Sequence, residues 1–457
     1  MFAALPTEIT SIQIESLLLP ILLQLVVIIA AAQVFGSVAR KLGQPRAMGE
    51  VLAGLCLGPS LFQWLAPGAF AAVFQPTFGL SGGAAELTFL NDKFFALLAQ
   101  LGLIFLLFQI GLEFDFTHLK LHRGATFTIA GVGLLVPFAL GAALGPLLQP
   151  HLEPHPTQGV VPVFGLTLFL GVSMAITAIP MLGRILMELG IQRTRLGAVV
   201  IAAAAAEDAV GWILLATAAA LAKAGTGQFD WTGTGLMISG TLGFTFAMFR
   251  LVRPLLSRYL RTSMRRSGGV LGTRGFAVVL LAMLLCAVAT NLLGIFAIFG
   301  AFLLGAVLSD QLELREQLRG KLQDFIAVFF LPIFFTTTGL RTDIGTLNER
   351  AWLAVVVVLV AVLGKLGGCT LAAKWSGYTW RESAIVGAMM NTRGLMELVV
   401  INLGRELGIV PPSLYCALVI MAVLTTMMTT PLVLLLRRGT ELEEPIRASG
   451  FLAPGSR

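Results

Sequence analysis

Two adjacent acidic residues, Glu207 and Asp208, lie in the middle of the apolar stretch GAVVIAAAAAEDAVGWILLATAAAL. This stretch is long enough to cross a bilayer as a helix. A carboxylate at membrane depth costs at least about 2.5 kcal/mol, so such groups usually face a partner or a water-filled cavity. Two neighbouring carboxylates can hardly both stay charged there, so we expect at least one of them to bind and release protons near neutral pH. The pair therefore predicts a coupled site for protons and a cation.

Two apolar segments, residues 162–190 and 382–404, are interrupted by polar or helix-breaking residues. Proline removes a helical hydrogen bond, and asparagine, threonine and glycine disturb an apolar helix. Paired interrupted helices point to an ion site in transporters, because exposed carbonyl groups and helix ends can bind ions there. A single kink or glycine notch is an ordinary packing feature, so the prediction depends on the match between the two segments. The residues are Ser173, Thr177, Pro180, Asn391 and Thr392.

Three more charged residues lie in apolar segments. Lys365 is too central in VVLVAVLGKLGGCTLAAKW to reach the interface easily, so we expect an acidic partner for it. Arg393 and Glu397 are four residues apart and therefore share one face of a helix. We interpret the Arg393–Glu397 pair as mainly structural, and leave open whether it also shapes the path of the cation.

The composition identifies the class of protein. Of the 457 residues, 57% are hydrophobic and only 12% are charged, and the mean hydropathy is +0.89. A soluble chain of this length would need a more polar surface. The net charge of +7 does not indicate nucleic-acid binding, because the basic residues are spread over short segments. The sequence has no metal-ligand spacing and no pairing of nucleophile and base, so we expect neither an enzyme nor a cofactor.

The hydropathy pattern predicts an all-α polytopic membrane protein with thirteen transmembrane helices. If the N-terminus lies outside the cell membrane, most of the 31 Lys and Arg residues fall in cytoplasmic segments, which predicts an outside N-terminus and a cytoplasmic C-terminus. The predicted spans are residues 17–38, 48–66, 93–113, 124–148, 162–190, 197–223, 233–252, 274–293, 295–310, 322–340, 351–375, 382–404 and 412–436.

The chain also repeats itself. GEVLAGLCLGPSLF (49–62) resembles GAFLLGAVLSDQLE (300–313), and FLLFQIGLEFDFTHL (105–119) resembles FLPIFFTTTGLRTDIGTL (330–347). The offset is seven spans, an odd number, so the second half is predicted to insert upside down. Two inverted six-helix repeats follow, with a linker helix between them and the two interrupted helices crossing near the midplane. In this arrangement, Thr425 and Thr426 are the symmetry mates of the acidic pair.

Four strings carry a resemblance to a known family: SMAITAIPMLGRILMELG, AAAAAEDAVGWILLA, MMNTRGLMELVVINLG and MAVLTTMMTTPL. With them, the chain resembles the monovalent cation/proton antiporter-2 family, and within it the bacterial and plant cation/H+ exchangers. The resemblance implies a homodimer in which an ion-carrying core moves like an elevator against a dimerisation part. It also implies that Asp208 binds the monovalent metal cation and carries protons, that Glu207 occupies the preceding family position, and that Lys365 pairs with Glu207.

The predicted function is exchange of Na+ or K+ for protons across the lipid bilayer. Two alternatives stay open at this point: proton-coupled export of an organic cation, and a channel-like gated cation pathway. The second acid suggests exchange of more than one proton per cation. The predicted organisation is a single transmembrane unit over 1–438, with a dimerisation part at about 17–113 and 274–340, a core at about 124–223 and 351–436, a linker helix at about 233–252, and a short cytoplasmic tail at 439–457.

Overall fold

The computed structural model describes residues 14–44, 46–75, 84–113, 123–154, 160–192, 194–224, 231–293, 297–348, 350–449 and 451. At some helical positions, Asp208 and Pro180 among them, only the backbone is described. Across these residues the chain forms helices and no strands, as the hydropathy pattern predicts. A helix satisfies every backbone polar group within one segment, which a membrane interior requires.

The first half of the chain supplies ten of the α-helices in the described residues. They are α1 (Ile14–Lys41), α2 (Arg46–Leu57), α3 (Pro67–Phe74), α4 (Ala84–Glu113), α5 (Arg123–Leu148), α6 (Val163–Ala175), α7 (Ile179–Glu188), α8 (Arg195–Ala224), α9 (Trp231–Ala247) and α10 (Arg253–Arg266). A π-helical turn at Met248–Val252 joins α9 to α10 without a break.

The second half supplies ten more within the same described ranges. They are α11 (Thr273–Leu292), α12 (Ala297–Leu308), α13 (Leu312–Phe325), α14 (Leu331–Leu340), α15 (Ala351–Val362), α16 (Gly368–Trp375), α17 (Trp380–Met390), α18 (Leu395–Glu406), α19 (Pro412–Leu436) and α20 (Glu443–Ala448). π-helical turns at Ile326–Phe330 and Leu363–Gly367 join α13 to α14 and α15 to α16.

Seven helical segments of the described chain are long and apolar enough to cross a membrane, and two shorter apolar helices, Val163–Ala175 and Ala297–Leu308, accompany them. The predicted number of thirteen spans stays a prediction. The seven segments are Leu18–Lys41, Lys93–Leu112, Gly124–His151, Thr273–Leu292, Leu312–Leu340, Ala351–Trp375 and Pro412–Leu436.

Two helices extend well beyond the predicted spans. The linker helix, predicted to end near residue 252, continues to Arg266, and the span predicted from residue 322 begins at Leu312. The added segments, RPLLSRYLRTSMRR and LELREQLRGK, are rich in Arg, Glu, Gln and Leu. These residues favour helices, so charges that end an apolar span do not end the helix.

Glycines allow two symmetry-related helix contacts that match the sequence repeat. α2 packs against α14, and α4 packs against α12. A Cβ atom added to Gly54 would lie 2.2 Å from Thr336 O and 2.8 Å from the Cα atom of Gly339. One added to Gly111 would lie 2.1 Å from Phe302 O and 3.0 Å from the Cα atom of Gly305. Gly54 and Gly305 occupy the same place in the repeat, as do Gly111 and Gly339. The same close helix contact therefore occurs once in each of the two symmetry-related helix pairs.

The two interrupted helices predicted from the sequence are present. The first breaks between α6 and α7, over residues 176–178, and the second between α17 and α18, over residues 391–394. Pro180 lies in the first turn of α7, after the break. A proline there removes no helical hydrogen bond, because the first N–H groups of a helix have no partner within it. Pro180 therefore marks the start of the second half-helix rather than the point of interruption.

Candidate functional site

The two helix breaks contact each other through their backbones. The N–H of Ala178 donates a hydrogen bond to Thr392 O (3.1 Å), and the hydroxyl oxygen of Thr177 lies 3.2 Å from Met390 O. At the second break, Gly394 has φ 151°, a backbone conformation that side chains disfavour, and an added Cβ atom would lie 2.8 Å from Cγ of Met181. The chain thus brings four half-helix ends together at one place.

Glu207 lies on α8 beside this crossing and is buried, with 1% of its surface exposed. Its Oε2 atom accepts hydrogen bonds from Lys365 Nζ (2.6 Å) and from the hydroxyl of Thr177 (2.7 Å). Its Oε1 atom has no hydrogen-bond partner among the described residues. Because an unpaired buried oxygen is costly, Glu207 Oε1 is a candidate ligand for a cation or a proton.

The Nζ atom of Lys365 has three acceptors, which matches its three N–H donors: Gly133 O (2.7 Å), Ala175 O and Glu207 Oε2. Lys365 is fully buried and lies in the π-helical turn that joins α15 to α16. π-helical turns inside α-helices are frequent at functional sites. The lysine is therefore held as a fixed internal cation between a carboxylate and the end of α6.

The guanidinium of Arg393 forms the second buried cation. Its Nη1 donates to Glu397 Oε2 (2.8 Å) and to Ser173 O, and its Nη2 donates to Met174 O. The hydroxyl of Ser173 donates to the other oxygen of Glu397. Arg393 thus joins α6 to the second break, and its charge is balanced by Glu397 on α18.

Beside the charged Arg393, the second break carries the neutral polar side chains of Asn391 and Thr392. The hydroxyl of Thr392 donates to Met389 O (2.7 Å) and lies 3.1 Å from the hydroxyl of Thr429. Asn391 is 1% exposed, and neither polar atom of its side chain has a hydrogen-bond partner within the described residues. Its Oδ1 atom is therefore a second candidate oxygen ligand.

Asp208 follows Glu207 on α8, and its side chain lies outside the described part of the structure. The same holds for the side chain of Pro180. The structure brings the other predicted site residues together around the two breaks, where all of them are buried: Ser173, Thr177, Glu207, Lys365, Asn391, Thr392, Arg393 and Glu397.

Sequence reasoning missed the site contacts of Thr426 and Thr429 on α19. The hydroxyl of Thr426 accepts from the backbone N–H of Arg393 (3.0 Å) and donates to its carbonyl oxygen, and Thr429 Oγ1 lies 3.2 Å from Ala388 O. Thr426 was identified only as a symmetry mate of the acidic pair. The signal was the repeated spacing in LTTMMTTPL, because hydroxyls three and four residues apart share one helix face.

A transmembrane sodium/hydrogen exchanger family model matches residues 25–435 of the chain. The chain is 34% identical over 423 residues to the Na(+)/H(+) antiporter NhaS4 of Synechocystis sp., covering 91% of this chain and 97% of that protein. It is 32% identical over 397 residues to the K(+)/H(+) antiporter 1 of Saccharomyces cerevisiae, covering 85% of this chain and 43% of that protein. The chain thus spans nearly all of the first relative and less than half of the second.

Among solved structures, the fold is similar to that of the sodium proton antiporter MjNhaP1 from Methanocaldococcus jannaschii at pH 8. The TM-score is 0.62, and the match covers 92% of this chain and 96% of that one at 15% sequence identity. At this identity, the likeness concerns the fold.

Proposed function

Because the chain belongs to the sodium/hydrogen exchanger family, we propose that this multi-pass membrane protein exchanges a monovalent cation, Na+ or K+, for protons. The activities that name these two relatives, Na+/H+ and K+/H+ antiport, support both cations as candidates.

The observation that carries the proposal is the charge balance around the two breaks. Lys365 pairs with Glu207, and Arg393 pairs with Glu397, with each pair buried. The sequence places a second acid, Asp208, directly after Glu207 on α8. A carboxylate in an apolar membrane-spanning helix is stabilised by a proton or by a cation, but it does not hold both well. Competition between the proton and the cation for one carboxylate couples the flux of protons to the flux of the cation.

We assign cation and proton binding to Asp208, with Glu207 Oε1 and Asn391 Oδ1 as supporting oxygen ligands. Both supporting atoms are buried without a hydrogen-bond partner in the described residues. Oxygen ligands at interrupted helices suit small monovalent cations in transporters. In this assignment Lys365 and Arg393 are positioning residues, because they stay bonded to the end of α6.

For alternating access, we propose that two bodies move past each other, with the ion site in one of them. Helices α5, α6, α8 and α15–α19 pack around the breaks, while α1, α2, α4 and α11–α14 pack together elsewhere. Few side-chain hydrogen bonds join the bodies in the described residues, for example Asn402 Nδ2 to Thr338 Oγ1 (3.1 Å). A cavity of about 270 Å³, lined by Gln100, Thr337 and Asn402 among others, lies between them. An apolar interface with few directional hydrogen bonds is suited to sliding.

The test is proton flux in proteoliposomes, followed with a pH-sensitive dye after separate additions of Na+, K+ and Li+. We expect cation-triggered dye recovery in the wild type and no recovery in Asp208→Asn. Glu316→Gln, the same type of change at an exposed carboxylate, is the matched control and should keep full exchange. Thermal unfolding and size-exclusion profiles check that Asp208→Asn is folded. Full exchange in Asp208→Asn would contradict the site, and no recovery with any cation in the wild type would contradict the function.

A further inference from the structure

The segment from Arg250 to Arg274 contains seven arginines and no acidic residue. Most of it is helical, because the linker helix α9 continues through a π-helical turn into α10. All seven arginines are exposed. This basic segment contributes no residue to the proposed exchange site, so exchange does not explain its charge.

Helix α10 has a buried apolar face and, separately, an exposed apolar stripe. Leu256, Leu260 and Met264, each four residues apart, are buried against the rest of the protein. Leu251, Leu255 and Tyr259 have the same spacing but are 59%, 68% and 46% exposed. Large exposed apolar side chains in a row are typical of a surface that contacts lipid or another apolar partner.

The π-helical turn keeps this stripe continuous with α9. Leu242 and Phe246, 66% and 69% exposed, are four residues apart, and Leu251 follows Phe246 by five residues across Met248–Val252. A π turn closes i to i+5 hydrogen bonds in place of i to i+4, so the five-residue step keeps Leu251 on the same side of the helix as Phe246. The apolar stripe therefore runs from the predicted seventh span onto the basic helix.

Four arginines line a groove of about 400 Å³ between the stripe and the buried face: Arg250, Arg253, Arg258 and Arg261, with Phe249 and Ser257. Arg253 forms an ion pair with Asp310, and Arg261 Nε donates to Gln311 Oε1 (3.4 Å). Gln311 Nε2 in turn donates to Ser257 Oγ (2.5 Å), which fixes the groove against the start of α13.

Arg250 and Arg258 have no carboxylate partner in the described part of the chain. The groove thus holds two paired or hydrogen-bonded arginines and two unpaired ones. A guanidinium binds phosphate oxygens through parallel hydrogen bonds, so an anion with several oxygens fits this arrangement.

We propose that this groove binds the phosphate headgroup of an anionic phospholipid, with Arg250 and Arg258 as the main contacts. The exposed apolar stripe beside the groove favours a lipid over a free anion, because it gives the acyl chains an apolar surface directly next to the phosphate. Basic clusters next to a membrane-spanning helix are a recurrent arrangement for anionic lipids.

The experiment measures binding of phosphatidylglycerol and, separately, of phosphatidylcholine to delipidated protein in an uncharged detergent, by native mass spectrometry over a lipid titration. Arg250→Gln/Arg258→Gln removes the two unpaired groove charges. Arg266→Gln/Arg274→Gln removes two charges from the same segment outside the groove and is the matched control. We expect the groove variant to bind phosphatidylglycerol about 30-fold more weakly, and the control to bind it within about threefold of the wild type.

Three results would overturn the proposal. Equal weakening by both double variants would mean diffuse attraction without a defined site. Equal binding of phosphatidylcholine by wild-type protein would mean that only the apolar stripe is used. Full displacement of phosphatidylglycerol by millimolar inorganic phosphate would mean that the groove binds a soluble anion. Exchange should persist in the groove variant. Transport assays on that variant therefore distinguish a loss of lipid binding from damage to the exchange site.

Discussion

The first halves of the two broken helices, α6 and α17, both end at the breaks, but their last carbonyl groups are capped by different chemistry. At the end of α6, the last three carbonyl groups, of Ser173, Met174 and Ala175, accept hydrogen bonds from Arg393 and Lys365. The C-terminal end of a helix carries a partial negative charge, so two full cations satisfy and neutralise it.

At the end of α17, the corresponding three carbonyl groups, of Ala388, Met389 and Met390, lie within hydrogen-bonding distance of threonine hydroxyls. Met389 O also accepts the backbone N–H of Thr392. No cation of the described residues reaches these groups. The hydroxyls belong to Thr429, Thr392 and Thr177.

We infer from this difference where a transported cation would be stabilised. The negative end of α6 is already occupied by the protein's own cations, and Glu207 and Glu397 balance them. Within the described residues, the negative end of α17 is capped by dipoles and lies beside the buried side chain of Asn391, which has no hydrogen-bond partner there. In this inference the end of α6 is a fixed structural connection, and the end of α17 offers a favourable field to a cation.

Removing Arg393, the cation that caps the end of α6, should have the largest effect on stability. Arg393→Met leaves Glu397 buried without its ion pair and frees the carbonyl groups of Ser173 and Met174. Breaking a buried ion pair costs about 3–5 kcal/mol, so we expect a large fall in unfolding temperature. Scanning fluorimetry of purified protein measures this loss.

The matched control is Arg393→Met/Glu397→Met, in which both charges are removed together. Because replacing a whole buried pair is much less costly than breaking it, the double variant should recover a substantial part of the lost stability. Equal instability of single and double variants would mean that the carbonyl caps, and not the charge pair, determine the effect.

Removing a hydroxyl at the second break should have a smaller effect. Thr429→Val keeps the shape of the side chain but loses the contacts with Ala388 O and with Thr392. A neutral hydrogen bond contributes about 1 kcal/mol, so the change in unfolding free energy should be several times smaller than for Arg393→Met. The same fluorimetry compares them, and equal losses would remove the distinction between the two helix ends.

Asn391→Ala should have the smallest effect on stability and a clear effect on transport. The side-chain amide of Asn391 has no hydrogen bond to lose within the described structure. If its oxygen binds the cation, losing about 1.4 kcal/mol of binding raises the KM for the cation roughly tenfold. Asn402→Ala is the control, because its amide bonds to Thr338 and to Leu398 O and should cost stability instead. An unchanged KM in Asn391→Ala would exclude this residue as a ligand.

The breaks could be predicted from the sequence because polar residues interrupt otherwise apolar segments at symmetry-related positions. A partner for Lys365 could also be expected, since a lysine so far from the interface needs an acceptor. The caps at the end of α6 could not be predicted. Ser173, Met174 and Ala175 take part through their carbonyl oxygens, which every residue carries and no sequence pattern marks.

The extent of the helices was also beyond the sequence pattern. Hydropathy locates the apolar part of a helix, but α10 and α13 continue through charged residues that favour helices. The contacts of Thr426 and Thr429 depend on how α19 packs against α17, a tertiary arrangement that spacing alone does not reveal.

The most direct test of the account counts the protons released when the cation binds. Calorimetric titration of purified wild-type protein with Na+, and separately with K+, in two buffers of different ionisation enthalpy gives that number. If protons and the cation compete for Asp208, the wild type should release at least about one proton per bound cation, with more than one if Glu207 also gives up a proton, and Asp208→Asn should neither bind the cation nor release protons. Cation binding to the wild type without proton release, or unchanged binding in Asp208→Asn, would contradict the account.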